Sequence, residues 1–249
     1  MSGHSKWAQI RRQKGVNDAK RGQLFTKLGR EITLAARQGG GNPEANFRLR
    51  LAIQKAKEFN MPMENVKRAI DRGTGKAEGA AIEEMTYEGY GPAGVAVLVE
   101  VATDNRNRIA AELRNIFTRN GGNMGESGCV GWLFEPKGLI TVDAGKNDPD
   151  ELALMAIDLG ADDVKVVDHM VDIYTPPTAL ESIREALVSR KLNVTTAERT
   201  MLPKTTVALD EASALKTLRL VDKLEEYDDV QKVYFNADIP DEVLEKYEG

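Results

Sequence analysis

The sequence is poor in the residues that build disulfides, zinc sites and histidine-based catalytic centres. It has 249 residues with one cysteine, Cys129, and two histidines, His4 and His169. One cysteine cannot form a disulfide within the chain, and its apolar neighbourhood "ESGCVGWLF" is typical of a strand, so we expect a reducing, cytoplasmic environment. The histidines are far apart and each lacks a neighbouring ligand set, which gives a zinc site or a histidine-assisted nucleophile little support. We therefore predict no metal, cofactor or catalytic residue.

Long apolar runs are also missing. The first residues contain no stretch of signal-peptide length, and no stretch approaches the roughly 20 apolar residues that cross a bilayer. We expect a protein that is neither secreted nor membrane-spanning. A content of 41% hydrophobic and 29% charged residues is typical of a soluble globular protein, and the length allows one large domain or two to three small ones.

Short motifs that resemble enzyme signatures occur in the wrong context. "GYGPAG" at 89–94 precedes a strand, whereas a dinucleotide-binding loop follows one, so its glycines are interpreted as turn residues. "GTGK" at 73–76 lacks the spacing of a phosphate-binding loop and is interpreted as a helix stop. Asp162 and Asp163 could form a metal or acid/base pair, but a backbone role in a turn is favoured. The sequence thus predicts that the protein is not an enzyme.

The distribution of charge is more informative than its sum. The formal net charge is -5, yet residues 1–76 hold 17 Lys and Arg against 6 acids, a net of +11, and the rest of the chain holds 17 against 33, a net of -16. Such asymmetry is typical of a surface that binds a polyanion, with the remainder too negative to lie on the same ligand. The alternative is an ordinary solvated helical surface.

The basic segment has helical periodicity. Apolar residues recur at the spacing of one helix face in "NDAKRGQLFTKLGREITLAARQGGGN", and the glycines at 39–41 end this helix. The pattern repeats in "PEANFRLRLAIQKAKEFN", where Pro43 suits a first turn, and in "PMENVKRAIDRG" before Gly73. We predict three helices that share one apolar face and point their Lys and Arg outward, preceded by a mobile basic arm at 1–15.

After a predicted linker at 73–84, the pattern changes to strands and helices. "AGVAVLVEVATD" reads as a buried strand, "NRNRIAAELRNIFTRNGG" as a helix and "GCVGWLFEP" as a second strand. Residues 137–203 have the order βαββαβ of a ferredoxin-like unit. The end of the chain supplies the strand "TTVALD", the helix "ASALKTLRLVDKLEEY" and the strand "QKVYFNADI", which the interrupted middle unit lacks.

The predicted fold class is therefore α+β with three domains. Residues 1–78 form a basic helical domain with its arm, 79–136 and 204–249 form a discontinuous α+β domain, and 137–203 form an inserted ferredoxin-like domain.

The motif "TDNRNR" at 103–108 has two interpretations. Asp104 or Asn105 can cap the helix that follows, and Arg106 and Arg108 could contact an anion at its start. Capping is the favoured interpretation.

Several stretches together resemble the YebC family (YebC/PmpR), which carries the label probable transcriptional regulatory protein and has mitochondrial relatives that activate translation of a cytochrome oxidase subunit. They are "GHSKW" (3–7), "DAKRGQLFTKLGREIT" (18–33), "ARQGGGNPEAN" (36–46), "YEGYGPAG" (87–94), "TDNRNR" (103–108) and "NGGNMGESG" (120–128). The resemblance implies a helical bundle followed by two α+β domains, one inserted in the other.

The resemblance implies a non-enzymatic regulator of gene expression that binds DNA, or alternatively a ribosome-associated translation factor that binds ribosomal RNA or tRNA. The basic arm favours structured RNA, because Lys6, Trp7 and Arg11 can follow shape and stack on bases. A third hypothesis is that the acidic ferredoxin-like domain senses a ligand or docks a protein partner. The predicted nucleic-acid-binding residues are Lys6, Trp7, Arg11, Arg12, Lys14, Lys20, Arg21, Lys27, Arg30, Arg37, Arg48, Arg50, Lys55, Arg106 and Arg108.

Overall fold

The structure, a computed structural model, describes Trp7, residues 21–77 and residues 81–247. The helices are α1 (Arg21–Gly39), α2 (Phe47–Glu58), α3 (Met63–Gly73), α4 (Arg106–Arg119), α5 (Pro149–Asp158), α6 (Leu180–Ser189), α7 (Glu211–Glu225) and α8 (Asp241–Lys246). The strands are β1 (Glu83–Tyr90), β2 (Ala96–Thr103), β3 (Asn123–Met124), β4 (Phe134–Asp143), β5 (Asp163–Val167), β6 (Met170–Thr175), β7 (Asn193–Pro203), β8 (Val207–Ala208), β9 (Val230–Phe235) and β10 (Ala237–Asp238). No helix among them is both long and apolar enough to cross a membrane.

The chain forms two compact units, residues 1–133 with 203–249, and residues 134–202. The predicted α+β class with an insertion is confirmed. The predicted insertion, 137–203, begins three residues after the start of the second unit and ends one residue after its end.

The three predicted helices are present, and they form the helical domain (residues 21–77). The second helix begins later than its pattern indicated, because Asn46 is its N-cap and accepts a hydrogen bond from the Leu49 N–H at 3.1 Å. Pro43 therefore lies before the helix rather than in its first turn. A Cβ at Gly73 would collide with the Thr33 carbonyl, so this glycine allows α3 to approach α1 closely.

The α+β domain has a four-stranded sheet in the order β3-β1-β2-β9. One face of β2 presents Val97, Val99 and Val101 to a core that it shares with α4 and α7. On its other face, Ala102 packs with Ile82 and with Leu34 of α1. The helical domain is therefore attached to the sheet within the first unit.

Two strands of this domain differ from the prediction. Residues 83–90 form β1, which pairs with β2 along its whole length, although 73–84 were interpreted as a linker and Gly89 as a turn residue. Four of its eight residues are exposed and it begins with two glutamates, so it lacks the apolar alternation that predicts a strand. A Cβ at Gly89 would lie 2.7 Å from the Asn123 carbonyl oxygen, which explains the glycine as a close approach of β3.

The second error is the strand predicted at 128–136. These residues form a turn, a short 3-10 helix at Gly131–Leu133 and then the first residues of β4, which belongs to the second unit. Cys129 lies in the turn and is half-buried.

The second unit has the predicted order β4-α5-β5-β6-α6-β7, with its strands arranged β5-β6-β4-β7. Both the β4/β6 and the β5/β6 pairs are antiparallel. This is the ferredoxin-like topology.

Candidate nucleic-acid interface

Lys6, Arg11, Arg12 and Lys14 of the predicted arm, together with Lys20, lie outside the described residues. Their role in nucleic-acid binding stays a prediction.

Trp7 is the one described residue of the predicted arm, and it is buried. Its side chain is 3% exposed and belongs to the core of the α+β domain. Its ring meets that of Tyr247 edge to face, with centroids 5.5 Å apart and planes at 63°. The prediction that Trp7 stacks on a base is therefore wrong, because an enclosed ring has no free face.

The cations of α1 hold the helical domain against the α+β domain. Lys27 donates to the Glu225 carbonyl at the end of α7, and Arg37 donates to the Ile82 carbonyl at 2.8 Å. Arg30 donates to the Ala102 carbonyl of β2 at 2.6 Å. The prediction that these side chains point outward is wrong for Lys27 and Arg30, which are partly buried against partners distant in the sequence, whereas Arg37 is exposed.

Asp229 lies at the centre of the contact between the helical domain and the α+β domain. It is buried, pairs with Arg30, and accepts bonds from Thr103 Oγ1 and Arg108 Nη2 at 2.7 Å each. Burial alone would raise the pKa of Asp229, but the hydrogen bonds from its three donors hold that pKa below the usual value. A buried anion therefore links the helical domain, β2 and the start of α4.

The "TDNRNR" motif has a structural role. Asn105 is the N-cap of α4 and accepts the Arg108 N–H at 3.0 Å, so the capping interpretation is confirmed. Arg106 donates to Glu83 at 2.7 Å, and the bond to Asp229 raises the pKa of Arg108. Neither guanidinium stands alone at the helix start to meet an anion.

The remaining predicted cations are on α1 and α2. Arg48 forms a bidentate ion pair with Glu84, in which its Nη2 and Nη1 donate to the two carboxylate oxygens at 2.6 and 3.1 Å. Burial alone would lower the pKa of Arg48, but the Glu84 carboxylate raises it. Arg50 donates to the Pro43 and Glu44 carbonyls at 3.2 Å. Lys55 lies 4.0 Å from Glu31. Arg21 is exposed at the first residue of α1.

A second set of cations was missed by the sequence analysis. Lys57, Lys67, Arg68, Arg72 and Lys76 are exposed and form no ion pair or hydrogen bond through their side chains within the described part of the chain. Three of them are on α3. Arg68 and Arg72 are one turn apart, where like charges weaken a helix by about 0.2–0.5 kcal/mol. This like-charge spacing was the signal that could have identified them.

Arg68 and Arg72 line a cleft of about 580 Å³ between α1 and α3. Phe25, Thr26 and Asn65 contribute apolar and hydrogen-bonding surface to it. Residues 21–77 carry 12 basic and 5 acidic side chains, a formal +7. The cleft therefore combines two guanidinium groups that have no partner in the described part of the chain with a positive surrounding field, which suits a phosphate-rich ligand.

The candidate catalytic groups have local partners. Asp162 accepts from Lys137 at 2.9 Å, and Asp163 accepts from the Val164 N–H at 2.9 Å. Gly91 and Gly94 form the turn between β1 and β2, as the turn interpretation predicts. Across residues 21–77 and 81–247, no cluster of His, Cys, Asp and Glu is arranged to hold a metal ion.

Fold and charge together define a class, a three-domain α+β protein whose helical domain is basic. The sequence matches the TACO1/YebC protein N-terminal domain over residues 5–76 and the TACO1/YebC second and third domain over residues 82–237. The chain belongs to the TACO1/YebC family.

Relatives cover the whole chain. It is 60% identical to a probable transcriptional regulatory protein of Chloroflexus aurantiacus, over 100% of both chains. It is 57% identical to one of Herpetosiphon aurantiacus, over 99% of this chain and 98% of the other. A crystal structure of a conserved hypothetical protein from Aquifex aeolicus is 50% identical, with a TM-score of 0.86, and covers 92% of this chain and 95% of its own.

Proposed function

We propose that this protein is a non-enzymatic regulator of gene expression that binds nucleic acid through the cleft between α1 and α3. The observation that carries the proposal is a pair of exposed guanidinium groups, those of Arg68 and Arg72, which lie one helical turn apart in that cleft and have no partner among the described residues. Guanidinium groups bind phosphate oxygens through paired N–H donors. The printed names of the relatives, probable transcriptional regulatory proteins, support a regulatory role.

Structured RNA is the target we favour over duplex DNA. Reading of bases in the DNA major groove uses a helix that projects from the protein, often from each half of a dimer. Here the unpaired guanidinium groups line a concave cleft. A concave basic surface suits the irregular backbone of a folded RNA, which proteins recognise by shape. We place the protein in the cytoplasm, where such RNA is abundant.

The test is a salt titration of the full-length protein. Fluorescence anisotropy measures its affinity for an RNA hairpin and for a DNA duplex between about 50 and 200 mM salt. The double variant Arg68→Ala/Arg72→Ala removes two phosphate contacts, so the slope of log affinity against log salt should fall by about 1.4 to 1.8.

Arg190→Ala is the matched control, because it removes an exposed guanidinium from the second unit. Its slope should equal that of the wild type. If the double variant also keeps the wild-type slope, the cleft is not the binding site. Tighter binding of the duplex than of the hairpin would assign the protein to DNA.

A further inference from the structure

The loop between β3 and β4 is built around a buried carboxylate. Glu88 of β1 accepts the N–H groups of Gly128, Val130 and Gly131 at 2.8, 2.7 and 2.6 Å. Burial alone would raise the pKa of Glu88, but these three bonds hold it below the usual value, so the carboxylate stays charged and keeps the loop in place. The Glu88 carbonyl also accepts the Gly125 N–H at 2.8 Å. The loop is therefore held at several points.

Trp132 of this loop and Tyr90 at the end of β1 present two aromatic side chains to solvent. Trp132 is 66% exposed and Tyr90 is 40% exposed, and every other aromatic residue of the described ranges is at least half-buried. The Trp132 indole N–H and the Tyr90 hydroxyl donate to the same Cys129 carbonyl, at 3.2 and 3.1 Å. Two exposed rings are thus anchored through their polar ends to one carbonyl oxygen.

A cation lies next to the pair. The Lys204 ammonium donates to the Trp132 carbonyl at 2.9 Å, and the Lys204 backbone N–H donates to the Leu133 carbonyl at 2.8 Å. One of its three N–H donors is used in this bond, which leaves two for a ligand. The ammonium is therefore fixed beside Trp132 and remains able to bind an anion.

We propose that Trp132 and Tyr90 form a stacking site for an unpaired nucleobase, with Lys204 bound to the adjacent phosphate. The inference rests on the proposed function, since it assumes a nucleic-acid ligand, and it adds single-stranded character to that ligand. An exposed ring gains from covering its face, and an unpaired base supplies a flat face of matching size without any demand for sequence.

A proline-rich peptide is the other ligand that exposed aromatics attract. Such a peptide has no internal hydrogen bonds, so its carbonyls need donors from the protein. The indole N–H and the phenol O–H are both bonded to Cys129 here and are not available to a peptide. A stacked base needs only the ring faces, so the geometry favours a base.

The experiment uses the intrinsic fluorescence of the full-length protein, which has two tryptophans. Stacking of a base on Trp132 quenches its emission, whereas the emission of buried Trp7 persists. The probes are a short single-stranded RNA, a blunt RNA duplex of the same length and a proline-rich peptide. Each is titrated into the wild type and into Trp132→Ala, Trp132→Phe and Arg68→Ala/Arg72→Ala, and anisotropy gives the affinities.

We expect the single strand, and not the duplex, to quench the wild type. Trp132→Ala should lose the quenching and bind the single strand about 5- to 150-fold more weakly, with duplex affinity unchanged. Trp132→Phe should recover most of the affinity, because it restores a ring. Since Trp132 is exposed, both variants should melt at the wild-type temperature.

Other outcomes overturn the stacking site and separate it from the proposed function. If Trp132→Ala binds the single strand like the wild type while Arg68→Ala/Arg72→Ala weakens binding, the stacking site fails and the cleft stands. If the pattern is reversed, the cleft fails and the stacking site stands. Quenching by the peptide alone, or a change of oligomeric state in Trp132→Ala, assigns the rings to a protein partner and overturns the proposal.

Discussion

Helices α1 and α3 carry the same types of cationic side chain in the same domain but use them in opposite ways. Lys27, Arg30 and Arg37 of α1 are bonded to backbone carbonyls of the α+β domain. Arg68 and Arg72 of α3 have no partner of this kind in the described ranges and lie open in the cleft. A basic segment is therefore a mixture of structural and available charges, and the two can be separated only by their tertiary partners.

Trp7 extends the comparison to an aromatic residue and gives the largest expected effect. Because its ring is enclosed beside Tyr247, Trp7→Ala should lower the free energy of unfolding by about 3–5 kcal/mol. Urea unfolding measures this loss, and Trp7→Phe should keep most of the stability. Unchanged stability together with weaker RNA binding would instead make Trp7 a ligand-stacking group.

Substitution of Arg30 should give the next largest loss of stability. Arg30→Ala leaves the buried Asp229 with two of its three donors, and we expect a loss of about 2–3 kcal/mol in the free energy of unfolding. Arg68→Ala, on the exposed surface of α3, should change the free energy of unfolding by less than about 0.5 kcal/mol. Equal losses in the two variants would remove the distinction between α1 and α3.

The charge of Asp229 gives a smaller, pH-dependent effect. The folded protein holds the pKa of Asp229 below its ordinary value, so the stabilisation is complete above about pH 4 and is lost as the pH falls through the lowered pKa. The stability difference between the wild type and Asp229→Asn should stay constant from about pH 7 to pH 4 and shrink below that. A difference that grows in acid would contradict the lowered pKa.

The smallest effect is expected at Arg72. Arg72→Ala removes the like-charge neighbour of Arg68, so thermal melts should show stability unchanged or raised by about 0.2–0.5 kcal/mol. The same variant should lower the salt dependence of RNA binding by about 0.7 to 0.9 in slope. A clear loss of stability would mean that Arg72 has a structural partner after all.

Much of the fold could be predicted because its signals are local. The apolar spacing of α1 and the strand and helix order of residues 137–203 depend on nearby residues alone. Strand β1 was missed because its partner β2, rather than its own hydrophobicity, holds it in the sheet. Local sequence pattern therefore predicts elements that have their own apolar face, and it fails for elements that are stabilised mainly by a neighbouring strand.

The site was harder to predict. The carbonyls that bind Arg30 and Arg37 belong to Ala102 and Ile82, which are 72 and 45 residues away in the sequence. Counting charges cannot identify such partners. The exposure of Trp132 likewise depends on Glu88, whose carboxylate fixes a loop about 40 residues further along the chain. Composition indicated a polyanion ligand, and the tertiary structure shows which side chains are free to meet it.

The inserted domain has a consequence for the order in which the chain folds. The chain leaves the first unit after Leu133 and returns at Pro203, and a backbone hydrogen bond of 2.8 Å from the Lys204 N–H to the Leu133 carbonyl joins the two ends. Strand β9 must be synthesised before it can pair with β2, whereas the second unit is complete by residue 202. During synthesis from the N-terminus, we therefore expect the insertion to fold before the discontinuous α+β domain is complete. When the insertion folds, it brings residues 133 and 204 together. This removes most of the entropic cost of closing the loop between the two segments of the α+β domain.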